Sequence, residues 1–224
     1  MSYAVTVFSY PFGSKRLEET IRSTNDLVCS LQSRYDVTLG ADIRNGVELM
    51  LPLAELVEEF LCSCSRAHGW LDIEWLFCLN WVISQPTDQT ISTAIGSMKS
   101  DCRDFLRPFL AKAMRCYDVG PVESSVFVAM NGLRLRPPYE HLWGAAYQRW
   151  PSGVAVEMEG YRESVFHEFL HLFGVSEGYD ENTKKPQSGC EGCWMQYDAT
   201  QGSGLCAKHL GELKAFIAEG STQQ

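Results

Sequence analysis

The sequence predicts a single-domain α/β protein with a mixed, twisted β-sheet. Three features lead to this prediction: a strand, a helix and a strand follow one another at the start of the chain, its middle is rich in helical spacing, and two short strands precede a helix with two histidines. Strands and helices in this order are typical of a sheet with helices packed on it. A length of 224 residues is enough for one substantial domain.

The first half of the chain begins with a strand and continues mostly as helices. Tyr3–Tyr10 is rich in β-branched and aromatic residues, which favours a strand. Lys15–Tyr35 has apolar residues three and four positions apart, as in an amphipathic helix, and residues 36–43 are predicted as a second strand. Helical spacing also predicts helices at residues 49–65, 72–84 and 98–117, with Pro108 kinking the last or starting a second segment.

The second half of the chain supplies the remaining strands. Ser125–Met130 is predicted as a strand, and residues 143–149 and 153–157 are predicted to pair in antiparallel fashion across the turn Trp150-Pro151-Ser152. The second strand of this pair comes shortly before the helix with two histidines. Residues 207–219 are predicted as a closing helix, with 220–224 as a frayed tail.

Residues 167–174, His-Glu-Phe-Leu-His-Leu-Phe-Gly, carry a zinc-hydrolase pattern. Histidines four positions apart on a helix lie on one face, so His167 and His171 can bind one Zn²⁺. Glu168 then lies beside the open coordination position. There it can act as a base toward a water whose pKa the metal lowers to roughly 7. The remaining residues of the helix are mostly apolar, which indicates that the core buries it.

The continuation of this motif resembles the metzincin pattern His-Glu-x-x-His-x-x-Gly-x-x-His. Gly174 can end the helix in a left-handed conformation and turn the chain back toward the metal. The position of the last metzincin histidine is Glu177 here, and two histidines with one glutamate are an established catalytic zinc set. Two other carboxylates stay open as the third ligand: Asp180 close by, and Glu191 at the separation of a ligand on a second helix.

Cys190-x-x-Cys193 and, after twelve intervening residues, Cys206-x-x-His209 form two close pairs of zinc ligands. This spacing is expected of a four-ligand structural zinc. Bound as thiolates, the cysteines would tie the loop after the histidine helix to the last helix of the chain.

Cys193-Trp194-Met195 makes the resemblance more specific, because the chain is similar here to the archaemetzincins. In that family the zinc motif is followed by a Cys-x-Met segment and a final Cys-x-x-Cys. The resemblance implies that the methionine forms a turn beneath the catalytic metal and that the cysteines hold a second zinc. His209 replaces the last cysteine, and Gly178 stands where the family has a cysteine, so Cys190 would have to substitute. The resemblance covers roughly residues 167–209.

The metzincin resemblance implies two further features of the site. The pattern Met-x-Tyr also occurs in the Met-turns of astacin-like and serralysin-like metzincins, whose tyrosine can ligate zinc or stabilise the oxyanion. Tyr197 is therefore expected to donate a hydrogen bond where negative charge develops. In metzincins an edge strand above the zinc helix pairs with the extended substrate, which makes residues 153–157 the expected recognition strand.

Composition limits the partners and the compartment. The net charge is −9 and no basic stripe is evident, which argues against general binding of nucleic acids. The first ten residues lack a basic region and a long apolar core, so they are predicted as a strand rather than a signal peptide. The apolar segment Ile73–Ile83 is too short to span a bilayer. Several of the nine cysteines lie in apolar helical patterns, as expected of reduced thiols in a cytoplasmic protein without membrane partners.

The predicted function is that of a zinc metallopeptidase with one catalytic and one structural zinc, acting on a peptide or protein substrate. Its fold would be metzincin-like, with an N-terminal subdomain of residues 1–174 and a C-terminal subdomain of residues 175–224 that holds the Met-turn at Met195. One alternative is a zinc hydrolase of a non-peptide amide. Another is a catalytically silent interaction module, against which the base Glu168 argues, because a structural zinc needs no base. The oligomeric state stays open.

Overall fold

A five-stranded mixed sheet lies between two layers of helices. The computed structural model describes residues 3–11, 15–49, 51–83, 93, 95–113, 124–148 and 153–222. Its strands, in chain order, are β1 (Tyr3–Tyr10), β2 (Ala41–Asn45), β3 (Trp70–Leu71), β4 (Ser125–Met130), β5 (Arg134–Leu135), β6 (Gly144–Tyr147) and β7 (Val154–Glu157).

The helices occupy most of the remaining described chain. They are α1 (Lys15–Tyr35), α2 (Gly46–Leu49), α3 (Leu51–His68), α4 (Ile73–Ile83), α5 (Ser100–Ala113), α6 (Arg162–His171) and α7 (Ala207–Thr222), with a short 3₁₀ helix at Ala199–Gln201. None of the described helices is both long and apolar enough to cross a membrane.

The sheet has the order β2-β1-β4-β7-β6. Its first four strands are parallel, and β6 runs antiparallel to β7, with Gly144 opposite Glu157 and Tyr147 opposite Val154. Because helices cover both faces of a parallel sheet, its central strands are apolar along nearly their whole length. Accordingly, every residue of β4 and β7 is buried.

Each face of the sheet has its own apolar core. One core contains Phe60 of α3, Leu79 of α4 and Leu106 of α5. The other contains Leu27 of α1, Phe169 of α6 and Leu213 of α7. The second core places α6 against the sheet on the face opposite α4, next to β6 and β7.

The prediction of a mixed α/β fold is confirmed, and most predicted elements are present. The second strand begins later than predicted, at Ala41 rather than residue 36, because Asp36 has φ 52° and starts a connection. Pro108 lies inside α5 without ending it. The predicted tail at 220–222 is helical instead. Three predicted elements end outside the described residues, at residues 84, 114–117 and 149, and the last part of the predicted tail, residues 223–224, also lies outside them. The short strand pair β3-β5 was not predicted.

The predicted recognition strand is not at an edge of the sheet. Residues 153–157 were expected to pair with residues 143–149 alone, but β7 also bonds to β4 on its other side, from Val126 opposite Val154 to Ala129 opposite Glu157. Both sides of β7 are therefore used. That assignment was wrong, and among the described strands the edge strand beside α6 is β6.

Candidate metal centres and active-site cleft

Helix α6 presents both histidines of the zinc-hydrolase pattern on one face. The ring centroids of His167 and His171 are 4.9 Å apart, as expected of positions one helical turn apart. Val165, Phe166 and Phe169 bury the other side of the helix. The apolar spacing that folds α6 into the core therefore also aims the two imidazoles at one point.

Gly174 returns the chain to this point. It has φ 74°, a left-handed conformation in which glycine carries no Cβ penalty, and Val175 N–H reaches back to Leu170 O at 3.4 Å. Glu177 then lies between the histidines. Its Oε2 is 3.2 Å from His167 Nε2, and its Oε1 is 3.3 Å from His171 Nε2.

The other nitrogen of each imidazole is held by the backbone. His167 Nδ1 donates to Trp194 O at 2.9 Å, and His171 Nδ1 donates to Val175 O at 2.7 Å. With Nδ1 donating on both rings, Nε2 is the nitrogen of each ring that faces Glu177 and that can bind a metal once it has lost its proton. Such outer partners are typical of histidines that bind a metal. Trp194 directly precedes Met195, so the predicted Met-turn segment orients one of the two histidines.

The Glu177 carboxylate is arranged to remain charged. Burial by itself would raise the pKa of Glu177, but the hydrogen bonds and positive charge of His167 and His171 hold that pKa well below its ordinary value. The two Nε2 atoms and a Glu177 oxygen all lie within 4.8 Å of one another. Two imidazoles that have lost their Nε2 protons and one carboxylate would match a catalytic zinc set.

Glu168 lies beside this group without a partner of its own. It is 8% exposed, and its Oε2 has no hydrogen-bond partner among the described residues. Burial raises the pKa of Glu168 to about 7, against the opposing positive charge of His167 and His171. A buried carboxylate without a partner is costly in a merely structural role, and such groups cluster at functional sites.

A cavity of about 230 Å³ opens over His167 and Glu168. Its walls come from the edge strand β6, the start of α6 and the segment after Glu177. The lining residues are Leu142, Trp143, Gly144, Ala145, Ala146, Glu159, Ser164, His167, Glu168, Glu177, Tyr179, Tyr197 and Ala199.

Aromatic rings form one wall of this cavity. Tyr197, predicted from the sequence, stacks on Trp143 with ring centroids 6.2 Å apart and meets Tyr179 edge to face at 5.4 Å. Tyr179 received no role from the sequence, although it lies only two residues after Glu177. Burial and the adjacent Glu177 carboxylate, to which its hydroxyl can donate, raise the pKa of Tyr179. It therefore stays a neutral hydrogen-bond donor.

The two alternative third ligands lie away from the histidines. Asp180 caps its own loop, with Oδ1 accepting from the N–H groups of Asn182 at 3.1 Å and Thr183 at 2.7 Å. Glu191 accepts from Gly189 N–H at 2.9 Å. Glu177 is therefore the carboxylate that the structure brings to both imidazoles.

Three cysteines and one histidine form a second buried group. His209 Nδ1 lies 3.1 Å from Cys206 Sγ, 3.2 Å from Cys193 Sγ and 4.0 Å from Cys190 Sγ. Cys190, Cys206 and His209 are the tightest set, and Cys193 joins it through His209. Burial and the neighbouring Cys206 raise the pKa of Cys190 to about 12. A thiol of this kind would need a cation to become a thiolate.

Helix α7 connects the two groups. Lys208 Nζ donates to Glu177 O at 3.1 Å, and Glu212 accepts from Ser176 N–H at 2.9 Å and from its hydroxyl at 2.8 Å. Gly178 packs so close to His209 that a Cβ there would be 2.8 Å from His209 Cε1. The segment that carries Glu177 is thus held by the helix that carries His209.

No protein-family model matches this chain, and no curated protein or solved structure matches it either. The residues themselves fit divalent metals: the first group offers nitrogen and oxygen, and the second offers sulfur and nitrogen. Both donor sets are among those that zinc prefers.

Proposed function

We propose that the protein is a zinc-dependent metallopeptidase with a metzincin-like arrangement of its site. The observation that supports this most is the unpartnered, buried carboxylate of Glu168 beside His167, His171 and Glu177, in a cavity bounded by a free strand edge. Metal ligands beside a base suit hydrolysis by a metal-activated water, and a strand edge beside them can bind an extended peptide.

The metal would be held by His167 Nε2, His171 Nε2 and the Glu177 carboxylate. When bound, zinc would polarise the carbonyl of the scissile bond and lower the pKa of a water. Glu168 would take a proton from the attacking water and carry it to the leaving amine. In the metal-free chain burial raises the pKa of Glu168 to about 7, and a carboxyl group whose pKa is raised in this way can both accept and return a proton near neutral pH.

The edge strand would hold the substrate in an extended conformation. Strand β6 has no partner on its outer side among the described strands, so its backbone groups can pair with a peptide. Tyr197 and Tyr179, which also line the cavity, would be the hydroxyl donors for the charge that develops on the carbonyl oxygen.

We assign a structural role to the second group. A zinc on Cys190, Cys193, Cys206 and His209 would fix the segment of Glu177 to α7. This closed set of four ligands leaves no position for a substrate, as in structural zinc sites.

Replacing the proposed base tests the enzymatic function. Glu168→Gln should bind the same amount of zinc as the unmodified protein and lose about 10³-fold or more in zinc-dependent cleavage of a fluorogenic peptide library, because the carboxylate is removed without a change of shape. Zinc is counted by elemental analysis and cleavage by fluorescence. Glu163→Gln, which makes the same change on α6 outside the cavity, should retain activity.

Two outcomes would reject this function. Unchanged peptide hydrolysis by Glu168→Gln would remove the proposed base. If the zinc-loaded, unmodified protein cleaved small amides but no peptide, the non-peptide hydrolase would replace the peptidase.

A further inference from the structure

The cleft contains a further carboxylate, that of Glu159, and the proposed reaction gives this carboxylate no role. It follows β7, is half-buried and lines the cavity at the start of α6. Its Oε2 accepts from Ser164 Oγ at 2.8 Å, and its backbone N–H donates to Glu157 Oε1 at 2.6 Å. These two bonds hold the side chain in place. A carboxylate can accept about four hydrogen bonds, so a single hydroxyl leaves most of that capacity open.

None of the ion pairs among the described residues neutralises Glu159. Arg16 contacts the same turn but is bound to Glu157, with Nη2 and Oε2 2.7 Å apart. Lys184 Nζ stands over the rings of Tyr179 and Tyr197, at 5.6 and 5.1 Å from their centroids. No described lysine or arginine lines the cavity.

The cavity is built to receive a ligand of a particular charge. Glu168 lines it and has a buried oxygen without a hydrogen-bond partner, and the chain as a whole carries a net charge of −9. A bound Zn²⁺ would balance the charges of Glu168 and Glu177, which leaves Glu159 as the uncompensated carboxylate of the cleft. In a partly desolvated cleft this carboxylate favours a cation and disfavours an anion, because the field is screened less there than at an open surface.

The distance along α6 places Glu159 relative to the bond that would be cut. Ser164, which holds Glu159, lies four residues before Glu168 on the same face of the helix, a rise of about 6 Å. An extended peptide advances about 3.3 Å per residue. Along the helix, Ser164, which holds Glu159, is therefore about two residues of extended substrate away from Glu168.

We propose that Glu159 is a specificity residue that binds a lysine or arginine side chain of the substrate, one or two residues from the scissile bond. This inference rests on the proposed peptidase function. It adds to that function a class of substrate, extended peptides with a basic residue near the cleavage point.

Binding to the Glu168→Gln protein loaded with zinc tests this without turnover. Labelled peptides with acetylated N-termini would carry lysine, norleucine or glutamate at one position at a time, and affinity would be read by fluorescence anisotropy. At one position the lysine peptide should bind about tenfold more tightly than the norleucine peptide. With Glu159→Gln added, the lysine and norleucine peptides should bind equally well, and with Glu159→Lys the glutamate peptide should bind most tightly. The control Glu163→Gln should leave the tenfold preference for lysine unchanged.

A second variant guards against misfolding. Ser164→Ala leaves the charge of Glu159 in place but frees its side chain, so the lysine preference should fall without a change in zinc content. Equal affinity for lysine and norleucine at every position would overturn the proposal, as would a preference that survives Glu159→Gln. A preference confined to peptides with a free N-terminal ammonium would also overturn it.

Failure of this proposal can be told apart from failure of the peptidase function. If the unmodified protein cleaves the norleucine and lysine peptides equally well, the specificity role is overturned while the peptidase stands. If the lysine preference is measured in binding but no peptide is cleaved, the cation site stands and the peptidase function is rejected.

Discussion

Gly144 begins the edge strand at the point where the side chain of Glu168 packs against it. A Cβ at position 144 would lie 2.7 Å from Glu168 Cγ and closer still to the carboxylate. The absence of a side chain at this position therefore sets where the proposed base can stand.

Gly144→Ala should displace Glu168 while leaving the metal ligands in place. We expect about a 10²-fold loss of peptidase activity with unchanged zinc content, because a shift of about 1 Å in a catalytic group has this effect. Kinetics and elemental analysis measure the two quantities.

Gly211→Ala is the matched control for this change. It lies on α7, where a Cβ would meet no other atom within 4 Å, so activity should be retained and stability should rise slightly. Full activity of Gly144→Ala would show that Glu168 need not stand where it does.

The protonation of His171 couples zinc binding to pH. In the metal-free protein, burial alone would lower the pKa of His171, but its hydrogen bond to Glu177 and the charge of Glu168 raise it to about 9. Below about pH 9, zinc must displace the proton on His171 in order to bind. Raising the pH therefore removes the proton that competes with the metal. Zinc affinity should therefore rise about tenfold per pH unit between about pH 7 and 9. Competition with a chelator in the Cys206→Ser variant would measure it, and an affinity independent of pH would contradict it.

At the scale of elements, the turn between β7 and α6 depends on a buried charge. Glu157 is fully buried, and its Oε2 pairs with Arg16 of α1 at 2.7 Å. Its Oε1 accepts from the N–H groups of Glu159 and Gly160, both at 2.6 Å. Burial raises the pKa of Glu157, while Arg16 and these N–H groups act in the opposite direction. One carboxylate thus ties α1 to the turn from which α6 starts.

Glu157→Gln should lower the free energy of unfolding by about 3 kcal/mol, because it leaves the Arg16 guanidinium without its counter-charge in a largely buried place. Urea denaturation measures the change. Asp42→Asn, which breaks the exposed pair with Arg44, should cost less than about 1 kcal/mol. Equal losses of unfolding free energy in the two variants would mean that burial of the Glu157–Arg16 pair does not increase its contribution to stability.

The parts of the site that could be predicted from the sequence are local. The helical period alone predicts that His167 and His171 lie on one face of the helix. The glycine three residues later predicts a turn, and the positive φ of Gly174 confirms it. Edge and interior strands cannot be told apart in this way. Whether β7 has one neighbour or two depends on β4, about thirty residues earlier in the chain.

The same limit explains which cleft residues were missed. Gly144, Glu159 and Tyr179 gain their roles from contacts with Glu168, Ser164 and Glu177 that arise only when the strand, the turn and the loop fold together. Tyr179 gave one signal, an aromatic residue two positions after an expected ligand. Nothing in the sequence near Gly144 distinguishes it from an ordinary turn glycine.

At the scale of the whole molecule, the two metal groups depend on each other through α7. Cys206→Ser should remove one of two zinc ions and weaken zinc binding at the histidines, because His209, Lys208 and Glu212 would no longer hold the segment of Glu177. Elemental analysis and chelator competition measure both effects. Cys29→Ser, at an exposed cysteine, should change neither. Loss of one zinc with undiminished affinity for the other would show that the sites are independent.

The order of these parts along the chain matters during synthesis. His167, Glu168 and His171 leave the ribosome before Lys208, His209 and Glu212 have been made, and domains fold as the chain emerges. Until α7 docks, the segment that carries Glu177 lacks its bonds to Lys208 and Glu212. On the proposed function, a half-made chain would hold the histidines and the base but no stable third ligand. The site would thus be complete only when α7 has folded, and copies of the chain without a docked α7 would not cleave the nascent proteins around them.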